Sequence, residues 1–275
     1  MLEAVLFSIA FVILAIAAYT DLRTREVPDW VNFAGIIAGI GLRALSSISL
    51  GDLRIVGEGV LGFIVFFAIA IVMYYTGQWG GGDSKLLMAM GALLGFGFSQ
   101  HPATIFLMWT LLVGAAYGLV WSVVLAAKNK NAFLKQYQML SRALRWVHVP
   151  LLGVFIFGLA FAIATDDVFL RVLSLVLGIA VPVLFYSALG IKVVEQCCMI
   201  KKIAVDKLTE GDWIAKPVTH KGKYLCGPKD LGITKAQIRE LTRLKVKHVI
   251  VKEGIPFTPT FLIGFVLSLW LGSPL

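Results

Sequence analysis

The stretch YTGQWGGGDSKLLMAMGALLG, Tyr75 to Gly95, sets three consecutive glycines, Gly80 to Gly82, directly before a carboxylate, Asp83. An apolar run of Met, Leu and Gly follows at once. A charged side chain at the mouth of such a helix is costly near a bilayer and is usually there for a function. Its meaning turns on whether the chain lies in a membrane and whether Asp83 has a partner.

The rest of the chain speaks to the membrane. Of 275 residues, 59% are hydrophobic and 15% charged, and the mean hydropathy is +0.86. That is the composition of a polytopic membrane protein, not of a soluble domain. A span needs about 20 predominantly apolar residues, fewer when neighbours shield it. Eight stretches qualify: 2–20, 30–50, 56–76, 84–98, 103–127, 149–165, 168–190 and 257–271. The fourth is short and carries Gly91, Gly95 and Gly97, so it is expected inside the bundle, where small residues permit close approach. The first lacks the basic segment and cleavage site of a signal peptide and is read as a retained helix. The expected fold is an all-α polytopic membrane protein, a bundle of about eight transmembrane helices with a small cytoplasmic α/β insert. Residues 1–190 form the membrane core, 191–256 the insert and 257–275 a C-terminal transmembrane helix.

Lys and Arg orient the bundle. The first loop carries Arg23 and Arg25, and the loop from Lys128 to His148 carries five basic residues and no acid. The insert carries fourteen basic and seven acidic residues, whereas the alternate loops are mixed. The basic loops belong in the cytoplasm, which leaves both termini outside. The net charge of +9 therefore points to anionic headgroups rather than nucleic acid, since it is not set among stacking aromatics. Within the fifth loop, Phe133, Tyr137, Leu140, Leu144 and Val147 recur at helical spacing opposite Lys135, Arg142 and Arg145, the pattern of a basic helix lying on the inner leaflet. In the insert, ITKAQIRELTRL has capping-box spacing at Thr234 and Gln237, and VKHVIV reads as a strand. Cys197, Cys198 and Cys226 form no CxxC and the four histidines are dispersed, so neither a metal site nor a cofactor is expected.

This topology restricts the partner of Asp83. Asp21 ends the first span and Asp83 begins the fourth, so both lie at cytoplasmic helix ends, 62 positions apart. Asp52, Asp166 and Asp167 fall at the other face, and Asp29, between Pro28 and Trp30, reads as a helix cap. Asp21 could pair with Arg23 or Arg25, and Asp83 could merely cap its helix. Together they suit acid–base work, because two adjacent carboxylates cannot both ionise and one keeps a proton. Gly80 and Gly82 are expected to adopt backbone angles closed to other residues and to let an extended substrate lie near Asp83.

These residues carry a family likeness. GGGDSKLLMAMGALLG resembles the GxGDxKL motif of type IV prepilin peptidases, a branch of the GxGD intramembrane aspartyl proteases. YTDLRTREVPDW resembles that family's first-aspartate segment, and the stretch from KGKYLCGPKDLG to EGIPFTPTFLIGF resembles the C-terminal region of archaeal members that process preflagellins and prepilins. The resemblance implies Asp21 and Asp83 as the catalytic pair, Gly80, Gly82 and Lys85 as flanking motif residues, and pilin-like or flagellin precursors as substrates. It implies neither a metal nor a cofactor. The cysteine-rich insert of the bifunctional bacterial members is missing, so methyltransferase activity is not implied. The alternative is a proton-coupled membrane transporter using paired acids, which would need internal repeats or broken helices that the sequence does not show. A non-catalytic membrane scaffold leaves Asp21 and Asp83 unexplained.

Overall fold

The structure is a computed structural model that describes residues 1–97, 102–220 and 222–272. It is an all-α polytopic membrane protein with small sheets in the polar insert. Among the described residues, six helices are long and apolar enough to cross a membrane: α1 (Leu2–Thr24), α2 (Asp29–Leu50), α3 (Arg54–Tyr75), α5 (Pro102–Lys128), α7 (Arg145–Ala164) and α8 (Val168–Cys197). The other two expected spans are helices of fourteen residues, α4 (Gly81–Leu94) and α10 (Thr258–Leu271). At about 1.5 Å per residue, each is about 21 Å long and too short to cross the hydrocarbon core unaided. Phe98, the expected end of the fourth span, lies outside the described residues.

The chain divides into two compact units. The first comprises residues 1–118, 204–249 and 254–275. Local chemistry sets its helix ends. Arg25 adopts the left-handed conformation (φ 62°) and donates its N–H to the Asp21 carbonyl at 2.9 Å, which stops α1 shortly before Pro28. Gly77, also left-handed (φ 69°), closes α3, with Gln78 N–H donating to Met73 O at 2.9 Å. The next helix, α4, is almost wholly buried, as expected for an internal span. Small residues seat it. A Cβ on Gly62 would fall 2.2 Å from Gly91 O, one on Gly91 would fall 2.4 Å from Gly62 O, and one on Gly39 would meet the Ala92 backbone at 2.7 Å. Backbone contact of this kind fixes α4 between α2 and α3. Aromatic packing then ties α10 into the core, with Phe261 and Phe265 meeting Phe106, and Phe7 edge-on to Phe265.

The insert within this unit carries the short strands β2 (Trp213–Ile214), β3 (Val218–His220) and β4 (Lys223–Cys226), then α9 (Lys235–Arg243). The expected capping box is present. Thr234 Oγ1 accepts from Gln237 N–H at 3.2 Å, and Gln237 Oε1 accepts from Thr234 N–H at 2.9 Å. Strands β3 and β4 pair antiparallel, with a bulge between Val218 and Thr219. Two further strands, β1 (Ile200–Ala204) and β5 (His248–Lys252), lie where the chain passes between the two units in sequence. The segment VKHVIV thus forms a strand as read. Val205, Leu208, Ile214, Leu225, Ile233, Leu241 and Val249 bury their side chains here.

The second unit comprises residues 119–203 and 250–253. In it α7 and α8 cross closely at Gly158, where a Cβ would fall 2.7 Å from Ser174 O and 2.9 Å from Gly178 Cα. Helix α6 (Lys130–Ala143) buries no residue. Its Phe133 and Tyr137 rings stack at 5.7 Å on one face, and Gln136 meets Gln196 of α8 at 3.0 Å. Val147, read as the end of that stripe, belongs instead to α7.

Candidate active site

Asp21 lies in the last turn of α1 and is buried, at 6% exposure. Its Oδ2 accepts the backbone N–H of Thr258 at 3.0 Å and the Thr258 hydroxyl at 2.9 Å. Thr258 is the first residue of α10, so Asp21 sits at a helix N-terminus where unpaired N–H groups and the helix dipole favour an acceptor of negative charge. Arg23, one of its expected partners, lies instead over the Tyr19 ring at 5.1 Å. The charge of the other, Arg25, does reach Asp21.

Asp83 occupies the third position of α4. Its Oδ2 accepts the N–H of Gly80, the helix-capping residue, at 3.2 Å. This is the carboxylate half of a capping box, and glycine cannot supply the other half. The cap accounts for one oxygen of Asp83 and leaves the second. Asp21 and Asp83 lie near enough for their charges to act on one another. The fold thus brings together two carboxylates 62 positions apart in sequence, each anchored through one oxygen.

The glycines need a correction. Gly80 has an ordinary extended conformation (φ −72°, ψ 167°), and Gly80, Gly81 and Gly82 all have backbone angles open to other residues. The residue that needs left-handed freedom is Gly77, at the end of the preceding helix. Gly82 is constrained by space instead. A Cβ there would lie 3.3 Å from Val27 Cβ, so the α1–α2 loop packs directly on the start of α4.

Lys85 points to a second correction. Its Nζ meets Asp29 Oδ1 at 2.6 Å and lies 6.0 Å from the centre of the Phe33 ring. Pro28 caps α2, and Asp29, read from sequence as the cap, is its first residue and the partner of Lys85. Both side chains are substantially exposed, so the pair aligns α2 with α4 more than it stabilises them.

Sequence reasoning missed two contributors to the site and one unpartnered buried amide elsewhere on α2. Thr258 is 237 positions from the carboxylate it holds, and only the Thr-Pro pair at the start of an apolar run hinted at a helix N-terminus there. Trp79, 6% exposed, lies against Phe257 and Phe261 with centroids 5.7 and 5.4 Å apart. Asn32 of α2 is fully buried, and its amide has no hydrogen-bond partner among the described residues. Among the described residues no cluster of His, Cys, Asp or Glu could hold a metal ion.

A multi-pass helical protein with two interacting carboxylates at the ends of α1 and α4 defines a class of intramembrane protein with an acid pair. Residues 8–122 match the model of the type IV leader peptidase family. The chain is 36% identical over 88 residues to a preflagellin peptidase of Methanocaldococcus jannaschii, covering 32% of this chain and 37% of that protein. It is 36% identical over 81 residues to a preflagellin peptidase of Methanococcus maripaludis, covering 30% and 35%. A preflagellin peptidase of Methanococcus voltae is 32% identical over 88 residues, covering 32% and 37%. The match thus spans little more than a third of these curated relatives. No solved structure matches the chain.

Proposed function

We propose that the chain is a membrane-embedded aspartyl endopeptidase that removes short signal peptides from archaeal flagellin or type IV pilin-like precursors at the cytoplasmic face. Asp21 and Asp83 are its catalytic pair. The observation that carries this reading is their convergence at the ends of α1 and α4 inside the residues that match the leader-peptidase family. The names of the relatives supply the substrate class. The basic first loop and insert support the cytoplasmic placement of the site.

The chemistry needs one carboxylate and one carboxylic acid, the state that a close pair favours near neutrality. The carboxylate takes a proton from a water, whose oxygen attacks the scissile peptide carbonyl. The resulting tetrahedral carbon then expels the amide nitrogen, which takes a proton from the second carboxyl. The C–N bond breaks to leave a new carboxylic acid and a new amine, and no metal or cofactor enters the balance. Residues 1–190 act as the catalytic membrane core, 191–256 as a cytoplasmic domain and 257–275 as a terminal transmembrane helix. Gly82 and Lys85 hold α4 against the α1–α2 loop and α2, and so set the position of Asp83. Methyl transfer is not part of the activity.

The test is cleavage of a panel of purified precursors in detergent or nanodiscs. Wild type releases the leader, while Asp21→Asn and Asp83→Asn insert normally and cleave nothing. Near-normal turnover by either variant removes that residue from the mechanism.

A further inference from the structure

We infer that the N-terminus of α10, from Phe257 to Phe261, is a third part of the active site, with Thr258 as a positioning residue that aims Asp21 at its partner. This rests on the proposed function and extends it beyond the family match, which ends at residue 122.

The geometry has two arms. In one, Thr258 presents two donors, its backbone N–H and its hydroxyl, to the same oxygen of Asp21 at 3.0 and 2.9 Å. Thr258 is fully buried and Asp21 nearly so, which strengthens these bonds and excludes competing water. With two donors on Oδ2, rotation of the carboxyl about its own axis and away from α10 is opposed. The hydroxyl also lies 3.2 Å from Ala17 O, one turn back along α1, so α10 is registered on that helix as well as on the carboxylate. In the other arm, Phe257 and Phe261 flank Trp79, the residue immediately before Gly80. Phe257 is the neighbour of Thr258, and its ring lies where a Cβ on Gly114 of α5 would fall 2.6 Å from Cζ, so it is wedged from that side too. A single turn of α10 therefore touches the Asp21 carboxylate directly and braces the segment that leads into Asp83.

Catalysis by a carboxyl pair tolerates little error in their mutual orientation, because the attacking water must meet both. A peptide segment that fixes one carboxylate and supports the approach to the other supplies that orientation. The charged and titratable groups that act on Asp21 are Asp83 from α4, Arg25 from the end of α1 and Tyr117 from α5. To these Thr258 adds two uncharged donors, and the backbone of Phe257 a further one.

The experiment compares Thr258→Val, which is isosteric and keeps the backbone N–H, with Thr258→Ser, which keeps both donors. Thr258→Val should lower kcat at least about tenfold with KM changed by no more than about twofold, the signature of an interaction that matters in the transition state. It should also displace the pH profile of kcat, which a purely structural role does not move, and Thr258→Ser should restore both. If Thr258→Val fails to insert, Thr258→Ala takes its place and serine must still rescue. Unchanged kcat and pH profile in an inserted Val or Ala variant, with Asp83→Asn inactive beside it, overturns the inference and leaves the proposed function standing. Wild type that cleaves no precursor overturns the proposed function. The contact is then read by a thermal-stability cycle of Thr258→Val and Asp21→Asn, whose effects should be non-additive. Additive effects there would also defeat the inference.

Discussion

Arg43 is the largest fully buried side chain in the described structure and the one whose environment is most demanding. It projects from α2, and its Nη2 donates to Leu93 O and Leu94 O at 3.1 Å each, taking up carbonyls that the end of α4 leaves unpaired. Glu3 of α1 and Glu58 of α3 approach its guanidinium at 3.3 and 3.7 Å. Gly95 makes room for it, since a Cβ there would lie 2.9 Å from Nη2. One side chain thus joins four helices at the end away from the aspartates. Arg43→Ala should cost about 3 kcal/mol or more, from the cavity and the two orphaned carbonyls, and a thermal unfolding series measures it. Arg43→Lys should recover only part, because an ammonium lacks the fork that reaches two carbonyls and an acid together. Asp212 in the insert offers a pH test. Burial, and secondarily the Glu26 carboxylate, push its carboxyl above the ordinary range, against the Thr209 N–H that donates to it at 2.9 Å. A carboxyl raised in the folded state favours folding in acid and loses that contribution as pH rises through the raised value. Asp212→Asn keeps the acceptor without the charge. Its melting temperature should exceed that of wild type above the ordinary carboxylate range and converge with it in acid.

Among the elements, α4 was the easiest to locate in the sequence and the hardest to interpret. The acid at its start, its shortness and its glycines all indicated an internal helix opening on Asp83, and the structure agrees. The capping box of α9 and strand β5 were equally legible, because both rest on neighbours within a few residues. What depended on contacts between distant segments was not. Nothing near Gly82 in sequence announces Val27, and nothing near Asp21 announces Thr258. The three glycines looked like a conformational device, yet the device is Gly77 and the triplet works mainly through clearance. Gly80→Ala should therefore keep turnover near wild type, since its Cβ would meet only Asp83 Oδ2, at an ordinary 3.5 Å. Gly82→Val should lower turnover more than it lowers stability, because the added methyls press on Val27 and move the start of α4. Gly91→Val should behave in the opposite way. Its side chain enters the backbone of α3, so loss of stability, about 1–3 kcal/mol or more, should come first. Parallel measurement of cleavage rates and melting temperatures separates the three.

At the scale of the whole molecule, the distribution of charge predicts which way the acid pair should face. The loop from Arg25 to Pro28, the turn before α4, the basic helix α6 and the insert all belong to the loop set that is rich in Lys and Arg, and the loops from Gly51 to Leu53 and from Thr165 to Asp167 do not. Translocation leaves Lys and Arg behind, so the basic set should face the cytoplasm with Asp21 and Asp83 at its membrane boundary. Cys197, Cys198 and Cys226 all fall on that side of the alternation, at the end of α8 and in the insert. Cys226 is buried, and burial together with its neighbour Cys197 pushes the Cys198 thiol up to about 12, so Cys198 is also a poor nucleophile at neutral pH. A membrane-impermeant maleimide applied to intact cells should therefore leave the wild-type chain unlabelled. Asp166→Cys places an exposed thiol in the loop between α7 and α8 and should label under the same conditions. After permeabilisation, a cysteine at the exposed Thr24 should label too, having been silent before. Labelling of the Thr24 cysteine in intact cells, with silence at Asp166, would invert the bundle. The carboxyl pair would then open to the outside, where a precursor still attached to its cytoplasmic leader could not reach it, and the proposed cleavage at the inner face would fail with it.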